Sequence, residues 1–280
     1  MTYRNWKSCL AVVFCVTFAA VAHAQHFHVA AGAASTSPGT PLNFVSIATY
    51  GADSGFVFNM TLRSSDVVAG LYEGGPTFTA ASSDGIDGPP AAPGAQLALV
   101  IRSITGPEGG TWAFWESPDC DQAAETITFS LQAGVTNGNQ RFLLSQNSGL
   151  PGEDPFGHCH GRRFTLDKPG LYTAWVQVVD VSHNGPGGGP IHTPSPIHPF
   201  YFNAGMNISR LTRTAATVNA TFGTRNGSRF YLEANSALDG SASWQTIAGP
   251  VTGNNRLQTL ADPTATSETQ RFYRLRITTP

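Results

Sequence analysis

Short runs of alternating or continuous apolar residues recur along the chain between clusters of Gly, Pro, Asn and Ser. Clear examples are residues 43–47, 55–60 and 171–178. Apolar residues at the 3.6-residue spacing of an amphipathic helix are nearly absent. Short runs bounded by turn residues are typical of β-strands. Because antiparallel strands with one apolar face must bury it against a second sheet, the pattern predicts an all-β protein of antiparallel β-sandwiches.

The chain changes character near residues 203–205. Every histidine lies before that point, and the last ~75 residues have a surface denser in Thr, Arg and Asn. About 256 residues follow the N-terminal segment described below (280 minus 24), which is comfortable for two β domains. We therefore predict a histidine-bearing β-sandwich domain at residues 25–206 and a small β module at residues 207–280.

The C-terminal part has about six strand signals, which include the segments 230–233, 244–247 and 271–275. Their order and composition resemble a fibronectin-like module found at the C-termini of bacterial secreted proteins. The resemblance covers about 70 residues and implies a spacer, sorting element or attachment surface rather than chemistry.

The first 24 residues are typical of a secretory signal peptide. Arg4 and Lys7 precede the apolar run 10–21, which ends in the small-residue pattern Ala22-His23-Ala24. Cleavage after Ala24 predicts a secreted protein, periplasmic or extracellular, that begins at Gln25. No comparable apolar run follows, so we expect no membrane span in the mature chain.

The composition limits the kinds of partner that we expect. Charged residues are 12% of the chain and the net charge is -2, so a nucleic acid is not expected as a partner. Two of the four cysteines belong to the signal peptide. Cys120 and Cys159 remain, and they could form one disulfide in an oxidising compartment.

Histidines supply the candidate chemistry. His26 and His28 are two residues apart, which puts both imidazoles on one face of an extended strand. The same spacing recurs at His158 and His160, and His192 follows a glycine-rich stretch at residues 185–189. Neutral imidazoles suit zinc, with copper as the alternative. These five histidines are the predicted metal ligands, whereas His183 and His198 are expected to be ordinary surface or hydrogen-bonded residues.

Two further resemblances bear on the metal. Residues 26–33 are similar to the opening of exported bacterial proteins that are repressed by the zinc-uptake regulator. Residues 158–165 and 168–173 resemble the His-x-His repeat of surface-anchored proteins encoded beside metal ABC transporters. Both imply zinc acquisition, storage or delivery, and a metal transporter or a cell-surface component as partner. The sorting segment and anchor of those families have no counterpart here, so surface attachment is not carried over.

Enzyme motifs are missing from the sequence. It has no His-Glu-x-x-His helix and no Gly-x-Ser-x-Gly elbow, and cleavage after Ala24 denies a histidine brace its N-terminal His. We therefore expect a non-enzymatic protein. Glu116 is a weak additional ligand candidate. A copper-binding redox protein is a minor alternative.

The main alternative is a carbohydrate-binding or adhesive module that uses exposed aromatics as stacking platforms. Its candidates are Trp112, Trp115 and Trp175. Trp175 is next to Val176 and close to Val178 in a strongly apolar strand, so we expect it to be buried, which weakens this alternative.

Overall fold

A computed structural model describes residues 27–82, 88–117, 126–145, 162–238, 240, 243–265 and 270–279. In these ranges the regular elements are β-strands, one four-residue α-helix and two three-residue 3-10 helices, Ala52–Ser54 and Pro186–Gly188. None of the described helices is long and apolar enough to cross a membrane. In chain order the elements are β1 (His28–Ala33), β2 (Leu42–Phe44), α1 (Ile47–Tyr50), β3 (Val57–Leu62), β4 (Tyr72–Gly74), β5 (Thr77–Ala80), β6 (Leu97–Thr105), β7 (Thr111–Glu116), β8 (Thr126–Gln132), β9 (Gln140–Leu143), β10 (Arg162–Leu166), β11 (Gly170–Asp180), β12 (His198–Ala204), β13 (Ile208–Arg213), β14 (Val218–Gly223), β15 (Arg229–Asn235), β16 (Gln245–Thr252), β17 (Leu257–Asp262) and β18 (Phe272–Thr278).

The predicted all-β class is confirmed. The sheets are mainly antiparallel, but each of the two sheets before residue 205 contains one parallel pair, β1 with β5 and β3 with β12. Both pairs join strands that are far apart in the chain. The apolar runs mark where a strand lies and do not show which distant strand it pairs with, so the sequence did not predict these parallel pairs.

Nine strands form the largest sheet, in the order β8-β7-β10-β4-β3-β12-β11-β6-β9. Its two ends approach each other, because Phe114 on β7 stacks on Phe142 on β9 with ring centroids 4.0 Å apart and an angle of 14°. Phe129 on the terminal strand β8 joins the same cluster, 5.5 Å from Phe114. The sheet therefore curls over a single aromatic core.

A smaller sheet, β2-β1-β5, packs against the inner face of the large one. Phe44 on β2 contacts Phe200 on β12 at 5.4 Å. Phe78 on β5 contacts both Phe200, at 5.5 Å, and Phe164 on β10, at 5.8 Å. These edge-on ring contacts belong to one buried cluster.

Strand β11 shows why the sequence folds this way. Its even-numbered residues from Tyr172 to Asp180 are buried, whereas the odd-numbered ones are exposed or half-buried. Alternation of side chains across a strand sends neighbours to opposite faces. Trp175 is therefore on the outer face and 38% exposed, which corrects the expectation that it is buried. Its apolar neighbours Val176 and Val178 belong to the other face.

Beyond residue 206 two antiparallel three-stranded sheets, β13-β14-β17 and β16-β15-β18, enclose a second core. Phe222 on β14 and Phe230 on β15 meet across it at 5.4 Å. Met206 already packs on this core, whereas Ala204 belongs to the first one. The domain boundary near residue 207 remains a prediction.

The sheet β16-β15-β18 of the second core carries a cluster of paired charges. Glu233 is 4% exposed and accepts hydrogen bonds from Arg274 and Arg276 at 2.8 and 2.6 Å. Burial by itself would raise the pKa of Glu233, but these hydrogen bonds outweigh it and the pKa is lowered. The guanidinium of Arg276 also lies 3.7 Å from the ring centre of Tyr231. The buried carboxylate is thus fully paired, as a buried charge requires.

Backbone hydrogen bonds join the two parts of the chain. Val57 N donates to Asn255 O at 2.9 Å, and Leu257 N donates to Gly55 O at 2.7 Å. Asn59 Nδ2 adds a bond to Thr224 O at 2.9 Å. This joint ties the beginning of β3 to the beginning of β17.

Phe142 should be critical for the curled sheet. It is 5% exposed, and we expect Phe142→Ala to lower the free energy of unfolding by about 3–5 kcal/mol, because a large buried ring is lost. Leu143, the next residue on β9, is 38% exposed, and Leu143→Ala should cost below about 1 kcal/mol. Urea unfolding of both variants measures the difference, and equal losses would contradict the stacked closure.

Candidate functional site

The structure describes two of the five predicted ligands, His28 and His192. His26, His158 and His160 lie outside the described residues, as do Cys120 and Cys159. In the described ranges no three His, Cys, Asp or Glu side chains lie together in a way that could hold a metal ion.

His28 is the first residue of β1 and is half-buried. It pairs with Thr77 on β5, and the next residue, Val29, pairs with Phe78. Phe78 in turn contacts Phe164, the third residue of β10. Phe78 therefore links the beginning of β1, through strand pairing, to β10, through the contact with Phe164. In the sequence, β10 begins two residues after His160.

His192 has a different environment. It is 1% exposed, and Nε2 accepts a hydrogen bond from Ala92 N at 2.9 Å. Nδ1 is 3.0 Å from Thr40 O, which can only accept, so Nδ1 carries the proton and donates. Both ring nitrogens are bonded to backbone groups, and the lone pair of Nε2 is not left for a metal.

His192 is also far from His28. Thr40, which His192 contacts, lies two residues before Leu42, and Leu42 pairs with Ala33 at the end of β1. His28 is five residues earlier on the same strand, a separation of roughly 16 Å at ~3.3 Å per residue. The structure does not bring these two predicted ligands together.

A buried carboxylate, which the sequence analysis missed, holds the loop around His192. Asp180 at the end of β11 accepts backbone hydrogen bonds from Gln96, Ser182, Ile191 and His192, between 2.8 and 3.1 Å. Burial alone would raise the pKa of Asp180, but the hydrogen bonds outweigh it and the pKa is lowered. Asp180 lies on the buried side of the alternation along β11. That alternation is the one sequence signal that could have identified Asp180 as a buried residue.

Glu116, the weak extra candidate, is paired. Its Oε1 accepts a hydrogen bond from Arg162 Nε at 2.6 Å, which joins the end of β7 to the beginning of β10. The guanidinium of Arg162 also lies 5.6 Å from the ring centre of Phe142. Glu116 therefore has a structural partner in its own sheet.

The three candidate tryptophans differ in exposure. Trp112 and Trp115 are buried, at 1% and 8% exposure, and Trp115 Nε1 donates to Thr165 Oγ1 at 2.8 Å. Trp175 alone of these three presents its ring to solvent. Beside it on the strand, Gln177 Oε1 accepts two hydrogen bonds from Arg102, at 2.9 and 2.8 Å.

An apolar cleft of about 530 Å³ opens beside β1 and β2. His198, which the sequence analysis set aside, lies in its wall. The ring of His198 meets Phe44 edge-on at 5.8 Å, and Nε2 is buried without a partner among the described residues. The lining side chains are Ala33, Ala34, Thr40, Pro41, Leu42, Asn43, Val45, Ile47, Pro89, Pro196 and His198, with Gly32.

Comparison of the chain with models of protein families, with curated proteins and with solved structures found no match.

The environment of His192 predicts a structural role. His192→Phe keeps a ring of similar size but leaves Ala92 N and Thr40 O unpaired in the interior, so we expect a loss of about 2–4 kcal/mol in the free energy of unfolding. Denaturant unfolding should show the same loss of stability, relative to the wild-type chain, whether EDTA or zinc is present.

The control is His183→Phe, because His183 is exposed and makes a single bond, at 3.2 Å to Gly188 O. It should change stability by about 0.5 kcal/mol or less. A stabilisation by zinc that His192→Phe abolishes would make His192 a ligand and contradict the structural role.

Proposed function

We propose that the protein is an exported, non-enzymatic zinc-binding protein that acts in zinc acquisition, storage or delivery. The ligands are His26, His28, His158 and His160. Support comes from the two His-x-His pairs in the sequence and from the resemblance of their surroundings to zinc-handling exported proteins. A metal transporter or a cell-surface component would be the partner that receives or supplies the ion.

The observation that carries this proposal is the contact between Phe78 and Phe164. Phe78 is paired with the residue after His28, and Phe164 lies four residues after His160. Two elements distant in the chain, β1 and β10, are thus linked near their first residues, and in the sequence a histidine pair stands at or just before the start of each. Convergence of separate elements is what a metal site of this kind needs.

The environment of His192 makes the proposed donor set smaller and more definite. With His192 held by backbone groups, four imidazoles remain, the number that a tetrahedral zinc ion takes in a closed site. A closed site has no open position for a substrate, which agrees with a protein that carries the ion rather than one that uses it in catalysis. The same nitrogen donors would also accept copper, the alternative metal.

Metal content of the purified mature chain tests the proposal. We expect about one zinc per chain by elemental mass spectrometry, lost in both the His26→Ala/His28→Ala and the His158→Ala/His160→Ala variants. Because imidazoles must be neutral to bind, affinity should fall as the pH drops below ~6.5.

Two single variants serve as controls for the zinc measurement. His183→Ala removes an exposed histidine outside the proposed set, and His192→Phe removes the one held by backbone groups. Both should keep the zinc of the wild-type chain. A chain that takes up neither zinc nor copper, or double variants that retain the metal, would refute the proposal.

A second candidate function is favoured by the exposure of Trp175. Its ring lies on the outer face of the large sheet, in register with Pro199 on β12 and Ser103 on β6. An exposed aromatic face beside polar side chains can stack on the apolar face of a sugar ring. Arg102 and Gln177 would supply the polar groups. The function in this case is carbohydrate binding or adhesion.

Polysaccharide binding distinguishes this candidate. If Trp175 is the platform, Trp175→Ala should weaken retention on insoluble cellulose, chitin or peptidoglycan by about tenfold, since stacking is lost. Leu62→Ala, at a residue 56% exposed on β3, should leave retention unchanged. Retention by none of the three polymers, or equal retention by both variants, would remove this candidate.

A further inference from the structure

The cleft beside β1 and β2 has walls that are set before any ligand arrives. Pro41, Pro89 and Pro196 each fix one backbone angle. Leu42 N donates to Thr193 O at 3.0 Å and holds β2 in place. At Gly32 a Cβ atom would lie 2.0 Å from Pro89 O, so a side chain there would push the Pro89 wall off β1. Preformed walls are the usual property of a small-molecule site.

The lining is uncharged. Its side chains are aliphatic, proline, Thr, Asn and one histidine. Burial lowers the pKa of His198, and the carboxylate of Asp53 opposes this only in part, so the imidazole is neutral near pH 7. A neutral wall offers an ion no partner, so a charged ligand would lose its hydration without compensation.

His198 is the one ring in the wall that has hydrogen-bonding atoms. No described residue bonds to either of its nitrogens, and because Nε2 is buried, Nδ1 is the nitrogen that a ligand can reach. This differs from His192, whose two nitrogens are both bonded. An imidazole without partners at the edge of an apolar cleft is a polar group that can orient a ligand.

The geometry also argues against a peptide strand as occupant. Pro41 and Thr193 form a β-bridge and Leu42 N donates to Thr193 O, so the beginning of the free edge of β2 already has a partner. A volume of about 530 Å³ is within the ~300–1,000 Å³ of sites for small molecules.

We propose that this cleft binds a small uncharged molecule, mainly apolar, that carries one hydroxyl or carbonyl group and hydrogen-bonds to His198. Alkylphenols are the simplest members of this chemical class. Its walls are the end of β1, β2 and the beginning of β12, and none of the described residues that line it is a proposed zinc ligand.

Fluorescence titration of the full mature chain tests the proposal, with EDTA present so that zinc plays no part. The probe is N-phenyl-1-naphthylamine, which is neutral and brightens in apolar surroundings. It should bind saturably, and 4-propylphenol should displace it about tenfold more effectively than propylbenzene, because one hydrogen bond is worth about that factor.

Variants locate the site. Ala34→Trp should fill the cleft and abolish probe binding, and Asn43→Trp fills it from β2 should the first variant not fold. Ala69→Trp, at an exposed alanine between β3 and β4, should bind like the wild type. His198→Phe should keep probe binding but make the phenol and propylbenzene equal within about twofold.

Probe binding that survives both cleft-filling variants would overturn the proposed site. Equal displacement by phenol and propylbenzene in the wild-type chain, or a phenol preference that His198→Phe leaves intact, would overturn the role of His198. Circular dichroism of each variant confirms that it is folded before it is used.

Discussion

The contact between the two ends of the nine-stranded sheet allows the sheet to enclose a single hydrophobic core. An open twisted sheet of this width would leave its apolar face in water, and the small sheet β2-β1-β5 is too narrow to cover it. The stacking of Phe114 on Phe142 brings β7 and β9 together. The space enclosed is filled by rings, with Phe164, Phe200 and Phe202 on the central strands. These rings anchor β10 and β12, and the small sheet that contains β1 packs on them through Phe44 and Phe78.

Hydrogen bonding distinguishes a structural histidine from one that can bind a ligand, and sequence spacing does not. His192 and His198 lie six residues apart, and both contact the region around β2, yet the first has two backbone partners and the second has none from a described residue. The difference comes from Asp180, which orders the loop before His192 and so fixes its ring between Thr40 and Ala92. A histidine becomes part of the fold when its nitrogens are satisfied, and it is available for chemistry when they are not.

The all-β class was predictable because strand and turn signals are local. Residues 171–178 were expected to form a strand and lie within β11. Non-local features were not predictable: the parallel pairs and the curled closure depend on partners distant in the chain. Trp175 shows that prediction can also fail within one strand. Its apolar neighbours indicated that it is buried, whereas the alternation of side chains places it on the outer face. For the site, His-x-His spacing indicated which residues share a strand face, but it could not show that His192 is bonded on both nitrogens.

The joint between Val57, Gly55 and Asn255 has a mechanical consequence. β3 is the fifth of the nine strands, so the joint attaches the C-terminal module to the middle of the large sheet rather than to its edge. Tension applied through β17 is therefore shared with the best-supported strand of the sheet, and the connecting peptide at residues 205–207 is relieved of part of the load. If the C-terminal module is held by a surface, the large sheet that carries β10 and the small sheet that carries β1 and packs on it follow as one piece.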